Sequence, residues 1–176
     1  MNIYLVGYRC TGKSTVGKML ASRLDWPFVD ADEYLEQRAG KSIKRIFEEE
    51  GEAHFRQLES RYLQELSARH NLVVATGGGV VLREENVKQM HNTGIVVLLE
   101  ASPETVFDRL RSDPRTKFRR PSLTSKEPFE EIVELMERRA PLYSAAANIR
   151  FDTDVMSAED VALAICDYLV QVREKR

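Results

Sequence analysis

Gly7-Tyr8-Arg9-Cys10-Thr11-Gly12-Lys13-Ser14 is the stretch on which the reading of this chain turns. It has the spacing Gly, four residues, then Gly-Lys-Ser that defines a phosphate-binding loop. Asn2-Ile3-Tyr4-Leu5-Val6 precedes it as a short β-rich run. Residues 15–24 follow, with Val16, Met19, Leu20 and Leu24 at helical spacing. Strand, glycine loop and helix is the order such a loop needs, because its amides must point at an anion from a helix N-terminus. Cys10, Thr11, Gly12, Lys13, Ser14 and Thr15 are therefore the expected ATP contacts. Lys13 reaches the β- and γ-phosphates in this reading, and the Ser14 hydroxyl binds magnesium.

The rest of the chain repeats the strand-then-helix alternation. Strands are expected at Trp26-Pro27-Phe28-Val29-Asp30, Leu72-Val73-Val74-Ala75-Thr76, Ile95-Val96-Val97-Leu98-Leu99 and Asn148-Ile149-Arg150-Phe151-Asp152. Helical patterns cover residues 33–38, 43–50, 52–69 and 84–91. Another opens at Ser102-Pro103-Glu104 and ends near 112; a further one covers 127–139. The last runs over 161–172 behind a capping box of Ser157 and Asp160. Strands apolar on both faces imply a five-stranded parallel sheet covered by helices on both sides, an α/β three-layer fold.

At 176 residues the chain is read as one domain spanning residues 1–176. Its net charge of −2 gives no electrostatic case for nucleic acid or an anionic membrane. No apolar run approaches the roughly 20 residues that span a bilayer. The N-terminus enters the first strand directly, which leaves no room for a signal peptide. Two cysteines, Cys10 and Cys166, lie far apart without metal-ligand spacing, which points to a reducing cytoplasm.

In a parallel sheet, functional residues gather at the carboxyl ends of the strands. The first strand ends in the phosphate loop, the second in Asp30-Ala31-Asp32, and the third in Thr76 and Gly77-Gly78-Gly79. Asp30 and Asp32 serve either the magnesium shell and a second substrate or the capping of the next helix, and Asp32 is well placed as the cap. The three glycines either make a loose turn or let a ligand approach bare backbone. Arg56 and Glu59, at i,i+3, form either a surface ion pair or a carboxylate clamp with its support. Residues 109–120 hold six basic side chains opposed only by Asp113, and Pro114 and Pro121 flank the densest part. This stretch is either a solvated basic loop or a lid over the triphosphate.

Taken together, the segments resemble the shikimate kinase family from about residue 3 to about 154. They are Gly-(x)4-Gly-Lys-Ser-Thr-Val-Gly (7–17), Phe-x-Asp-x-Asp (28–32), Ile-Phe-x-x-x-Gly-Glu (46–52) and Phe-Arg-x-x-Glu (55–59). Ala-Thr-Gly-Gly-Gly-Val-Val-Leu (75–82), Arg-Arg-Pro (119–121) and Arg-Arg-Ala-Pro-Leu-Tyr (138–143) complete the set. The resemblance implies a P-loop kinase fold and transfer of the ATP γ-phosphoryl group to the 3-hydroxyl of shikimate, with Mg2+ and without a nucleic-acid or membrane partner. It implies a substrate-binding helical segment at about 31–62, a lid at about 112–125 and a monomer.

By the same resemblance Asp32 binds and orients the shikimate hydroxyl. Arg56 and Arg139 hold its carboxylate, and Glu59 stands behind Arg56. Gly77, Gly78 and Gly79 meet the ring hydroxyls, and Phe47 and Phe55 wall the pocket. Asp30 joins Ser14 at the metal through water, and Arg109 lies beside adenine. Arg120 is the lid arginine at the transferring phosphate, with Arg119 as the alternative, since the lid reads Arg-Arg-Pro-Ser-Leu where the family pattern is Arg-Pro-Leu-Leu. Lys13, Asp32 and Arg120 are then the catalytic set.

Overall fold

The structure, a computed structural model, describes residues 1–112 and 127–174. Five strands form one sheet in the order β2-β3-β1-β4-β5, with every neighbouring pair parallel. They are β1 (Asn2–Val6), β2 (Phe28–Asp30), β3 (Val73–Ala75), β4 (Gly94–Glu100) and β5 (Ile149–Asp152). β1 is central: Ile3 pairs with Val73 on one side and with Ile95 on the other.

Alternation along β1 and β4 divides the core in two. Ile3 and Leu5, with Val97 and Leu99, face α1 (Lys13–Leu24) and the last helix α7 (Ala158–Glu174), meeting Val16, Leu20, Val161 and Ile165. Tyr4 and Val6, with Val96 and Leu98, face the other layer. That layer holds α3 (Ile43–Ser67), α4 (Glu84–Thr93) and α6 (Pro128–Ala146). Leu63, Leu66, Met90 and Tyr143 fill it. Both faces are dry, which is why these strands read as unbroken apolar runs. A polar exception is Tyr4, whose hydroxyl is satisfied by Ser67 Oγ at 2.9 Å and Thr93 Oγ1 at 2.7 Å.

Several expected boundaries shift. β2 begins at Phe28, not Trp26, since the chain first turns through Asp25 at φ 53 and the ladder starts only where Phe28 meets Val73. The patterns at 43–50 and 52–69 belong to one run, α3, interrupted at Gly51 with φ 81 and ψ 169. A side chain would strain that backbone, so glycine carries the break. The helix expected over 127–139 continues to Ala146 through Pro141, at the loss of the hydrogen bond its missing N–H would make. Leu135 and Tyr143, buried on either side of the proline, hold both halves against the core.

α2 (Ala31–Ala39) is capped by Asp30, whose Oδ1 accepts from the amides of Asp32 at 3.1 Å and Glu33 at 3.4 Å. The cap is Asp30 rather than Asp32. At the far end, Ser157 Oγ and Asp160 exchange hydrogen bonds as the capping residues of α7. α5 (Pro103–Ser112) is the helix expected from Ser102-Pro103-Glu104.

Candidate active site

The loop between β1 and α1 is tightly wound. Gly7 has φ 139, and a Cβ there would lie 2.3 Å from the carbonyl oxygen of Leu99 in β4. Cys10 takes the left-handed conformation at φ 62, a state that costs an ordinary side chain about 1–2 kcal/mol. Thr11 braces the turn through Oγ1 to Tyr8 O at 2.9 Å. Lys13 donates from Nζ to Gly7 O at 3.0 Å and to Tyr8 O at 2.6 Å, folding its ammonium into the cradle. Ser14 Oγ lies 2.7 Å from Asp30 Oδ2, so two hard oxygen donors share one corner.

A cleft of about 840 Å3 opens over this loop. Cys10, Gly12, Lys13, Ser14, Thr15, Asp30, Asp32 and Gly78 line it, with Arg109 and Thr153 at another part of the wall. The carboxyl ends of β1, β2 and β3 therefore do converge. Arg109 is pinned by three hydrogen bonds, to Cys10 O at 3.1 Å, Thr153 Oγ1 at 3.0 Å and Thr153 O at 2.8 Å. Nearby, Asp154 accepts from the Ser102 amide at 2.8 Å. Burial alone would raise the Asp154 carboxyl, but hydrogen bonds from Ser102 and Thr105, with the Arg109 charge, hold it below the usual carboxylate range.

The remaining acceptor-site candidates form a second group behind Gly78. Arg56 Nη1 is 2.7 Å from Glu59 Oε2, and these side chains are only 12% and 8% exposed. The pair is therefore not the surface ion pair that i,i+3 spacing alone allows. Glu52 adds a contact to Arg56 Nη2 at 3.1 Å, and the guanidinium lies 5.0 Å from the Phe55 ring centroid. Phe47 and Phe55 pack with centroids 4.7 Å apart.

Arg139, buried on α6, donates to Gly78 O at 3.3 Å, and the Tyr143 hydroxyl donates to the same oxygen. Among the described residues no carboxylate lies within ion-pair distance of Arg139. Gly78 joins the two groups, since it also lines the cleft. Gly77 turns the chain by accepting from the Val80 amide at 3.1 Å.

Gly79 is required by close approach. A Cβ there would stand 2.2 Å from Arg56 Nη1 and 2.5 Å from Cζ. Gly79→Ala should leave the fold intact, because the obstructed group is the end of a long side chain. It should displace the guanidinium and raise the KM for a carboxylate acceptor about tenfold to a hundredfold, with KM for ATP unmoved in steady-state assays.

Arg119 and Arg120 lie outside the described residues. Three residues to which the sequence reading gave no role also sit here: Tyr143, Tyr8 and Arg9. Tyr143 was already quoted within Arg-Ala-Pro-Leu-Tyr, and Arg9 is the charge in the loop, besides Lys13, to which the Gly-(x)4-Gly-Lys-Ser pattern gives no task.

A phosphate cradle at the end of a central parallel strand, a paired serine and aspartate, and cations gathered on a glycine segment define an ATP-using P-loop phosphotransferase. The comparisons agree and are narrower. The family model described as shikimate kinase matches residues 9–170. The chain is 44% identical over 160 residues to the shikimate kinase of Rhodopirellula baltica, covering 91% of this chain and 86% of that one. It is 42% identical over 175 residues to the shikimate kinase of Symbiobacterium thermophilum, covering 99% of each. The solved shikimate kinase from Acinetobacter baumannii in complex with shikimate superposes with a TM-score of 0.89 at 38% identity, over 97% of this chain and 93% of that one. This chain belongs to the shikimate kinase family.

Proposed function

We propose that the cleft binds ATP on the loop side and shikimate on the glycine-segment side, and that the enzyme transfers the γ-phosphoryl group to the 3-hydroxyl. The observation that carries this reading is Arg139. A buried cation with no carboxylate partner among the described residues is costly unless an anion comes to it. Arg139 and Arg56 come from two different helices onto Gly78 and Gly79. They form a receptor for a small planar anion, which suits the carboxylate of shikimate. Glu59 and Glu52 hold Arg56 in place, and Phe47 and Phe55 supply the apolar wall. Gly77, Gly78 and Gly79 present backbone to the ring hydroxyls.

Asp32, on the cleft wall, orients the attacking hydroxyl. The hydroxyl oxygen forms the new P–O bond as the bond between the γ-phosphorus and the β–γ bridging oxygen breaks. The hydroxyl proton passes to Asp32 or to solvent. Lys13 leaves its loop carbonyls for the β- and γ-phosphates, and Cys10, Thr11, Gly12 and Thr15 supply the surrounding loop contacts. Arg109 forms part of the nucleotide wall. Arg120 or its neighbour Arg119 completes the charge neutralisation from the lid, which accounts for residues 112–125; residues 31–62 form the acceptor-binding helical segment.

Ser14 and Asp30 fit Mg2+: they are hard oxygen donors, already 2.7 Å apart at the cleft wall. Magnesium is held in such sites by one or two protein groups together with phosphate oxygens and water. Bound there it would neutralise charge on the phosphates, with Ser14 as direct ligand and Asp30 behind it. The reading includes a monomer in the cytoplasm; among the described residues no helix is long and apolar enough to cross a membrane.

The test is ADP release from purified protein with ATP, Mg2+ and shikimate, beside gluconate and no-acceptor controls. Release that does not depend on shikimate would sink the assignment. Arg56→Ala should raise KM for shikimate roughly 10- to 100-fold, the loss of a charge-assisted hydrogen bond of about 1.5–3 kcal/mol, with little change in KM for ATP. Equal effects on the two substrates would contradict the clamp.

A further inference from the structure

Arg9 stands inside the phosphate loop and lines the cleft with Lys13, Asp32, Thr76 and Gly78. We infer that Arg9 is a further substrate cation of this enzyme, anchored by the buried carboxylate of Glu131 and directed at the transferring phosphoryl group from the acceptor side. The inference rests on the acceptor and donor assignments proposed above.

Its backbone fixes the location. The Arg9 amide nitrogen lies 3.5 Å from where a Cβ on Gly78 would stand, and Gly7 O lies equally close. Arg9 is thus at the seam between the donor cradle and the glycine segment that carries the acceptor cations. Its side chain fixes the direction. Arg9 Nη2 is 3.5 Å from Glu131 Oε1, with side-chain exposures of 22% and 3%. Its Cζ lies 5.5 Å from the centroid of the Tyr8 ring, which has Arg139 Cζ at 5.9 Å. Burial pushes the Tyr8 hydroxyl up, and the charges of Arg9 and then Arg139 pull it down. Arg9 Nε is buried and makes no hydrogen bond.

A purely structural pair would be an uneconomical way to fill this position. α6 already buries Ile132 and Leu135 beside Glu131, and an apolar pair of similar volume there avoids the desolvation of two charges. At 3.5 Å the contact is longer than the 2.7–2.9 Å typical of charge-assisted bonds, so it tethers the fork without using up its donors. Phosphoryl transfer spreads charge over three equatorial oxygens. Lys13 meets that charge from the start of α1; a planar guanidinium at the seam meets it from the other substrate's side. After transfer the same oxygens belong to the product, so Arg9 should favour the phosphorylated acceptor over the free one.

The experiment uses the full chain and the variants Arg9→Met, Arg9→Lys and Glu131→Gln. It compares kcat, both KM values, melting temperature and calorimetric binding of shikimate and of shikimate 3-phosphate. Arg9→Met should lower kcat about a hundredfold and weaken shikimate 3-phosphate binding at least about tenfold. Binding of shikimate itself should change less than about threefold. Arg9→Lys should restore part of both losses, and Glu131→Gln should give smaller losses of the same kind, since the cation remains without its anchor. Unchanged kcat and product binding in Arg9→Met, with only the melting temperature moved, would overturn the inference. If that variant does not fold, wild-type kcat and product binding in both Arg9→Lys and Glu131→Gln would overturn it. A wild-type enzyme without shikimate-dependent turnover would remove the acceptor assignment as well, a result distinct from either.

Discussion

Replacing Lys13 with methionine should cut turnover by about a hundred- to a thousandfold, the usual loss when one preorganised charge is removed from a phosphoryl or oxyanion site. The structure explains why the effect should fall on kcat more than on folding. Lys13 is buried, and its ammonium donates to two carbonyl oxygens of its own loop, Gly7 O and Tyr8 O. These two contacts hold the ammonium inside the cradle before nucleotide arrives. Methionine keeps the length of the side chain, so the loop should close as before. Single-turnover kinetics with ATP would read the chemical step, and a melting curve would confirm the fold. A kcat within threefold of wild type would contradict the role assigned to Lys13.

Asp32→Asn should also lose turnover, by about a hundred- to ten-thousandfold, the range over which a positioned general acid or base contributes. The substitution preserves shape and most hydrogen-bonding capacity but removes the charge. Asp32 does not cap α2, because Asp30 does so. Its side chain is one of those that line the cleft. ATP affinity should stay within about twofold of wild type by calorimetry, since the loop and the Ser14–Asp30 corner are untouched. Loss of ATP binding together with turnover would place Asp32 on the nucleotide and not on the acceptor.

These two residues also show where the sequence was informative. Lys13 was legible because a phosphate loop is local: strand, glycines, lysine and helix all lie within 24 residues, and the physics of each is short-range. The parallel sheet and its two covered faces followed from runs such as Val96-Val97-Leu98, apolar on successive residues; the strand order did not. What did not follow was set by contacts between distant segments. Spacing placed Asp32 at the cap, but the direction in which the chain leaves β2 gave that task to Asp30. The expected helix ended at 139, yet burial of Tyr143 behind Gly78 carries α6 through Pro141 to Ala146. Spacing left the Arg56–Glu59 pair either a surface ion pair or a supported clamp, and only its burial against Gly79 removes the first reading. Arg9 was passed over for the same reason, since its partner Glu131 lies more than a hundred residues away.

The central place of β1 has a consequence for how the molecule comes into being. β1 is made before both of its neighbours, β3 and β4, which end at Ala75 and Glu100. Gly7 is packed against the carbonyl of Leu99, so the cradle has its far wall only once β4 is in place. At about 5–20 residues per second, a growing chain spends seconds with its loop sequence complete and its binding site absent. Nucleotide therefore cannot hold together a nascent chain that stops short of β4. The phosphate cradle, whose loop lies between β1 and α1, is assembled late.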